Sequence, residues 1–324
     1  MFKTFTTPAK DDATNGTMPA RRPRLAASIE ISPAHVAKRP ELLRHIPPAT
    51  RAYIVDLGAN SPSEWASICQ RVVAAGLEPV PHIAARRFTS RKHLDARLAA
   101  VVREAGVRDV LLIAGEATPP AGPYRSSMDV LESGLLERHG IRRIAVAGHP
   151  EGHPAMSSQA AADALHWKQA YAARTEADMR IVTQFGFRPD QALAWAARLA
   201  TAGIRLPVHL GIAGPASVGS LLKYAAMCGV MASGRFLARN GAAVTSLMTQ
   251  HSPEQYVAPV EEHVAAQSAC LIKQFHVFPF GGIARAAEWL EARGSWDRDA
   301  RQVFEQYGTV PDLGRKGIAP QKFG

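Results

Sequence analysis

The chain has three cysteines, at positions 69, 228 and 270, and none of them forms a Cys-x-x-Cys pair. That leaves no disulfide framework and no zinc knuckle, and it suits a reducing compartment. No apolar run approaches the roughly 18 residues a membrane helix needs. The N-terminal segment also lacks the apolar core of a secretory signal. A soluble, cytoplasmic chain is therefore expected, and 47% hydrophobic with 20% charged residues agrees with that. No Gly-x-Gly-x-x-Gly stands at the first strand-to-helix turn, which argues against a doubly wound dinucleotide-binding sheet. Charge of one sign is in excess, at +10, but residues 1–24 carry a net +3 of it and residues 311–324 a net +2. With half the excess in the tails, no nucleic-acid-binding face is expected. The remainder suits anionic small ligands such as phosphates and carboxylates.

What is present is a rhythm. Short apolar runs alternate with longer amphipathic stretches. Strands are predicted at Leu25 to Ile31, Ala52 to Leu57, Glu78 to Ile83, Asp109 to Ile113, Arg143 to Ala147, Met179 to Thr183, Pro207 to Leu210 and Gln274 to Phe278. Helices are predicted at Pro62 to Ala75, Arg91 to Ala105, Ser158 to Thr175, Pro189 to Thr201, Ser217 to Met227 and Ile283 to Ala292. Glycines 76, 106 and 203 follow three of these stretches, as glycine does after a helix. Eight near-continuous apolar strands, each followed by helix, read as a (β/α)8 TIM barrel. The expected organisation is a disordered tail over 1–24, one barrel domain over 25–295 and a C-terminal extension over 296–324. The stretch from Gly229 to Lys273 exceeds one crossover, so extra helices are expected after strand seven.

In such a barrel the chemistry sits at the C-terminal strand ends. Those positions hold Glu30, Asp56, His82, Glu116, His149 with His153, Gln184 and the Pro279-Phe280-Gly281-Gly282 loop. Glu30 interrupts an apolar run and would point into the barrel mouth. There, partial desolvation suits a carboxyl group to proton donation, the alternative being a pair with a buried arginine. The hexapeptide His149-Pro150-Glu151-Gly152-His153-Pro154 admits a metal site, a structural histidine pair or a cofactor contact. Its prolines preclude the helical spacing of His-Glu-x-x-His, and no third ligand is evident, so no metal is expected.

These residues resemble a family. The hexapeptide, followed by Thr183-Gln184-Phe185, is similar to the Tyr-Pro-Glu-x-His-Pro loop and Thr-Gln-Phe of methylenetetrahydrofolate reductases. Ser28-Ile29-Glu30, Gly58-Ala59-Asn60, Pro81-His82-Ile83, Ala114-Gly115-Glu116 and Gly211-Ile212 with Pro215 match further family motifs in order, over about residues 25 to 280. The resemblance implies a barrel that binds FAD in its mouth, takes hydride from NADH or NADPH and interconverts 5,10-methylenetetrahydrofolate and 5-methyltetrahydrofolate, as in methionine biosynthesis. By position, Glu30 would be the general acid toward folate N10. Glu116, Gln184, Ser220 and Tyr224 would face the folate, with helix packing as the alternative for Tyr224. Asp56, His82, Gly115, His149 and His153 would face the flavin, and Asp163, His166 and Lys168 the FAD phosphates and ribose.

The chain also departs from the family. Ala114 replaces an arginine, Asp56 a threonine, His149 a tyrosine, Ser126 a tyrosine and Ser220 a glutamine, and Pro-Phe-Gly-Gly replaces Thr-Leu-Asn after strand eight. Three alternatives therefore stand beside the flavoenzyme: a reductase using NADH directly without FAD, a non-catalytic folate-binding barrel and a metal-dependent hydrolase. The direction of reaction and the oligomeric state, homo-oligomer included, stay open.

Overall fold

The computed structural model describes residues 24–58, 60–153, 156–227, 250–297 and 299–300. The expected tail up to Pro23, most of the C-terminal extension, Ala59, Pro154, Ala155 and Cys228 lie outside the described residues, while Arg24, the last residue of that tail, pairs with Glu261 at 2.8 Å. Seven parallel strands come first: β1 (Ala27–Ile31), β2 (Arg51–Ile54), β3 (Glu78–Ala84), β4 (Asp109–Ile113), β5 (Arg143–Gly148), β6 (Asp178–Thr183) and β7 (Val208–Ala213). A two-stranded antiparallel ribbon, β8 (Ala216–Ser217) with β9 (Gln250–His251), follows. The barrel strand β10 (Ile272–Phe278) then pairs with both β7 and β1 and closes the barrel. The helices are α1 (Pro33–Lys38), α2 (Pro62–Ala74), α3 (Arg91–Ala105), α4 (Ser127–Glu132), α5 (Leu135–Arg138), α6 (Ser158–Arg174), α7 (Pro189–Thr201), α8 (Val218–Met227), α9 (Glu254–Ala266) and α10 (Ile283–Ala292). The barrel read from the sequence is the observed fold, and among the described residues α8 and α9 lie in the long seventh crossover. Among the described residues no helix is long and apolar enough to cross a membrane.

Local chemistry sets the element ends. Ser61 accepts from the Glu64 amide while the Glu64 carboxylate accepts from the Ser61 amide, a capping box that starts α2. Ser90 and Ser157 cap α3 and α6 in the same way through their hydroxyls. Gly106, at φ 64°, ends α3 in the left-handed conformation glycine tolerates. Two expectations are corrected. β2 stops at Ile54 because the Asp56 carboxylate accepts from the Gly58 amide and turns the chain, so Asp56 stands in the loop. β7 runs on to Ala213 because Gly211 has no side chain to collide with the Thr183 carbonyl of β6. The fourth crossover holds two short helices rather than one, separated by Gly134.

The strands also alternate more than an all-apolar reading allows. Outward side chains such as Ile29, Ile54, Ile83, Val110, Ile181 and Val277 pack under the helices in one large cluster. Tyr53, Val80, Leu111, Ala145 and Val182 form a separate cluster inside the barrel. The same two-residue period puts Ser28, His82, Asp109, Arg180, His209 and His276 inside, all of them buried. On the barrel floor the Arg180 guanidinium donates to the Tyr53 hydroxyl at 2.9 and 2.8 Å and to Asp109 at 2.8 Å. Arg51, 3.3 Å from the second Asp109 oxygen, adds another cation. Trp296 is buried at the N-terminal side of β1 and donates to the Ala27 carbonyl at 2.9 Å, so packing continues past residue 295.

Candidate active site

Glu30, near the C-terminal end of β1, points into the barrel mouth with its side chain 19% exposed. Two imidazoles converge on its Oε2: His276 Nε2 of β10 at 3.5 Å and His82 Nε2 of β3 at 3.7 Å. No arginine pairs with it among the described residues. The parallel register sets Ser28 opposite His276, and the Ser28 hydroxyl lies 3.1 Å from His276 Nδ1 and 3.3 Å from the Phe275 carbonyl. A hydroxyl that donates to that carbonyl accepts from Nδ1–H. The His276 ring then turns its Nε2 edge toward Glu30. Tyr53 lies beneath, its ring 4.5 Å from His276 and 6.4 Å from His82. Burial lowers the His82 pKa, so this ring is neutral near pH 7. Glu30 thus faces two imidazole edges, of which His82 is kept neutral by burial.

The hexapeptide loop leaves the C-terminal end of β5, across the barrel from β1. His149 and His153 meet edge to face at 4.8 Å. Burial, with His153 and Lys168 nearby, pushes His149 down to about 4, so it is neutral at physiological pH. Lys168 is 6% exposed on α6, and burial brings its ammonium down to about 8. The Glu151 carboxylate is turned toward the protein, where it accepts from the Phe187 amide at 3.2 Å and abuts Gly186. It thereby ties this loop to the one after β6. That second loop carries Gln184, whose Oε1 accepts from the Phe185 amide at 3.1 Å. Thr183 steadies the crossing by accepting from the Gly211 amide at 2.8 Å. Among the described residues no group of three His, Cys, Asp or Glu side chains is placed to hold a metal ion.

With this geometry in view, the comparisons decide the family. The family model described as methylenetetrahydrofolate reductase matches residues 55–243, more than half of the chain. The chain belongs to the methylenetetrahydrofolate reductase family. The 5,10-methylenetetrahydrofolate reductase of Salmonella typhimurium is 30% identical over 159 residues, 48% of this chain and 50% of that protein. The chain thus matches about half the length of this curated relative. A solved structure described as an uncharacterized protein from Clostridium thermocellum that binds two copies of 5-methyl-5,6,7,8-tetrahydrofolic acid superposes with a TM-score of 0.54. It covers 86% of this chain and 97% of that one at 10% identity, and it shows the shared fold.

Glu30 and His276 both lie outside the segment that matches the family model, one on either side of it. Barrel closure, which pairs β1 with β10, brings them together. Of the other residues expected at the site, the structure groups His82 with Glu30, and His149 with His153 and Lys168. Gly115, at φ 83°, packs close to Ala84, and the adjoining Glu116 is exposed. Asp163 and His166 are exposed, on a different face of α6 from the buried Lys168. Ser220 is drawn into the start of α8 by a 3.0 Å contact with the Ser217 hydroxyl. Ser126, at the family's tyrosine position, caps α4. Tyr224 stacks on Phe280 at 4.3 Å, and Phe280 joins Phe185 and Phe278 in an aromatic wall. Sequence reasoning missed His276, Tyr53 and the part played by Phe280. The alternation in Gln274–Phe278, which puts His276 on the inner face, is the signal for His276.

Proposed function

We propose that the chain is a flavin-dependent oxidoreductase that interconverts 5,10-methylenetetrahydrofolate and 5-methyltetrahydrofolate with NADH or NADPH. Family membership supports the folate reading, as does the solved barrel described as binding 5-methyl-5,6,7,8-tetrahydrofolic acid. The observation that carries the chemistry is Glu30 in the mouth with His82 and His276 on the same carboxylate oxygen.

The residues present fit FAD. Among the described residues buried His82 Nε2 has no hydrogen-bond partner, and the buried Lys168 ammonium is a cation suited to a phosphate. The edge-to-face rings of His149 and His153 offer a partly apolar wall beside it, and Gly115 allows close approach at the end of β4. A bound flavin would supply reversible two-electron chemistry between the nicotinamide and the folate methylene carbon.

The protein's own part is protonation and orientation. Glu30 gives its proton to folate N10. The bond from N10 to the methylene carbon then breaks with its electron pair passing to N10, while the N5 lone pair forms the N5 iminium that accepts hydride. His276 and His82, with Nε2 atoms 3.5 and 3.7 Å from Glu30 Oε2, flank the carboxyl group and set its orientation toward the substrate. The Gln184 amide binds the pterin, and the aromatic wall of Phe280 and Tyr224 covers the flat face of a bound ring. Oxidation of 5-methyltetrahydrofolate with an artificial electron acceptor, assayed on FAD-loaded protein, tests this reading. Folate-dependent reduction of the acceptor is expected; binding without turnover would leave a non-catalytic folate barrel.

A second reading, direct hydride transfer from NADH without FAD, has two observations in its favour. Ala114 stands where the family has arginine, and Ser126, where it has tyrosine, is occupied as a helix cap. A colourless protein that cannot be loaded with FAD yet turns over folate would select it.

A further inference from the structure

The shoulder of the barrel between the loop after β2 and the first turns of α3 holds a cavity of about 270 Å³, apart from the Glu30 group. Asp56, Asn60, Arg87, His93 and Arg97 line it. Arg97 is 5% exposed. Its Nη2 donates to the Asn60 carbonyl at 3.0 Å and its plane lies 5.2 Å from the Trp65 ring, but among the described residues Nε and Nη1 have no hydrogen-bond partner. Among those residues, too, no carboxylate lies within ion-pair distance of it. Asp56, in the same lining, is the carboxylate that acts on it, and one Asp56 oxygen is already taken by the Gly58 amide. Arg87 brings a second guanidinium over Gly58, so close that a side chain at that position would overlap it. Residues 86–92 contain Arg86, Arg87, Arg91 and Lys92 and no acidic residue.

A buried guanidinium with two unpaired donor groups, beside a second guanidinium and only one shared carboxylate, is costly in the absence of an anion. The planar donor fork of arginine matches phosphate oxygens two at a time. The cavity is smaller than the roughly 300 to 1,000 Å³ of pockets that enclose whole ligands. It therefore suits an appended group rather than an entire nucleotide or folate. Asp56, which lines the cavity, follows the C-terminal end of β2, so the cavity lies at the mouth end of the barrel.

We propose that this cavity is an oxyanion subsite in which Arg97 and Arg87 bind a phosphate monoester. The site does not depend on folate reduction, and its occupant is either a phosphate carried by a ligand of the mouth, such as the 2′-phosphate of NADPH, or a separate phosphorylated molecule.

The test is calorimetric titration of the full chain with inorganic phosphate in a low-salt, phosphate-free buffer. Saturable binding is expected, weakened at least about 10-fold in Arg97→Gln and in Arg87→Gln, with Arg97→Lys between them. Arg87 is only half-buried, so its variant keeps the test readable if Arg97→Gln folds poorly. Displacement of phosphate by NADPH but not by NADH would identify the nucleotide as the source; displacement by neither would identify a separate phosphorylated molecule. Absence of saturable phosphate binding, or equal binding by the parent and both glutamine variants, overturns the proposal. The titration needs no turnover, so a failed reductase assay does not affect it.

Discussion

Glu30 and His276 meet where the barrel closes, Oε2 of the carboxylate 3.5 Å from Nε2 of the imidazole. The Ser28 hydroxyl on the far side of the ring fixes which nitrogen faces the acid. His276 is thus a positioning residue for the proton on Glu30. His276→Gln is expected to slow folate turnover by about 10- to 100-fold and to move the acid limb of its pH profile. A purely structural role would lower stability and leave the pH profile in place.

Lys168 is buried with no carboxylate partner among the described residues, and its ammonium titrates near 8. A cofactor phosphate would supply the missing charge. Lys168→Met is expected to weaken FAD binding by about 10- to 100-fold, the loss of one charge-assisted hydrogen bond, while raising the melting temperature of the FAD-free protein by removing an unpaired buried cation. In the parent protein FAD affinity should fall as pH rises above 8 and Lys168 loses its proton. In the methionine variant that decline should be absent, as read by fluorescence titration of FAD.

His149 links the same loop to acid stability. Its pKa in the folded chain is about 4, against about 6.5 unperturbed. Between those values the unfolded chain binds a proton that the folded chain does not, so stability is whole above about 6.5 and is lost as pH falls toward 4. The slope from this residue is at most about 1.4 kcal/mol per pH unit. His82 and His209, both lowered by burial, act in the same direction. Urea unfolding of His149→Phe between about pH 7 and about pH 4.5 should show a shallower loss than the parent.

The floor of the barrel depends on Asp109. Asp109→Ala would leave Arg180 buried with only the Tyr53 hydroxyl as acceptor among the described residues, and a loss of about 3 to 5 kcal/mol is expected from urea unfolding. Tyr53→Phe, which removes one acceptor and keeps the ring against His276, should cost about 1 to 3 kcal/mol.

The barrel was legible because hydrophobic period and cap chemistry are local. Arg91–Ala105, Pro189–Thr201 and Asp109–Ile113 begin and end where the sequence pattern puts them. What went unread depends on contacts between distant segments. His276 meets Glu30 only through the pairing of the first and last barrel strands. Glu151 looks like a ligand in the hexapeptide, yet its partner is the Phe187 amide in another loop. Lys168 and its neighbours Asp163 and His166 share one helix, but only Lys168 is buried, which the faint amphipathic pattern of α6 does not reveal.

The most direct measurement is a single turnover of FAD-loaded protein, first reduced with NADH and then mixed with 5,10-methylenetetrahydrofolate. The visible absorbance lost on reduction is expected to return in the parent protein. In Glu30→Gln it should return at least about 100-fold more slowly, with reduction by NADH unchanged. Equal rates of return in the two proteins, or no return in the parent, would contradict the account.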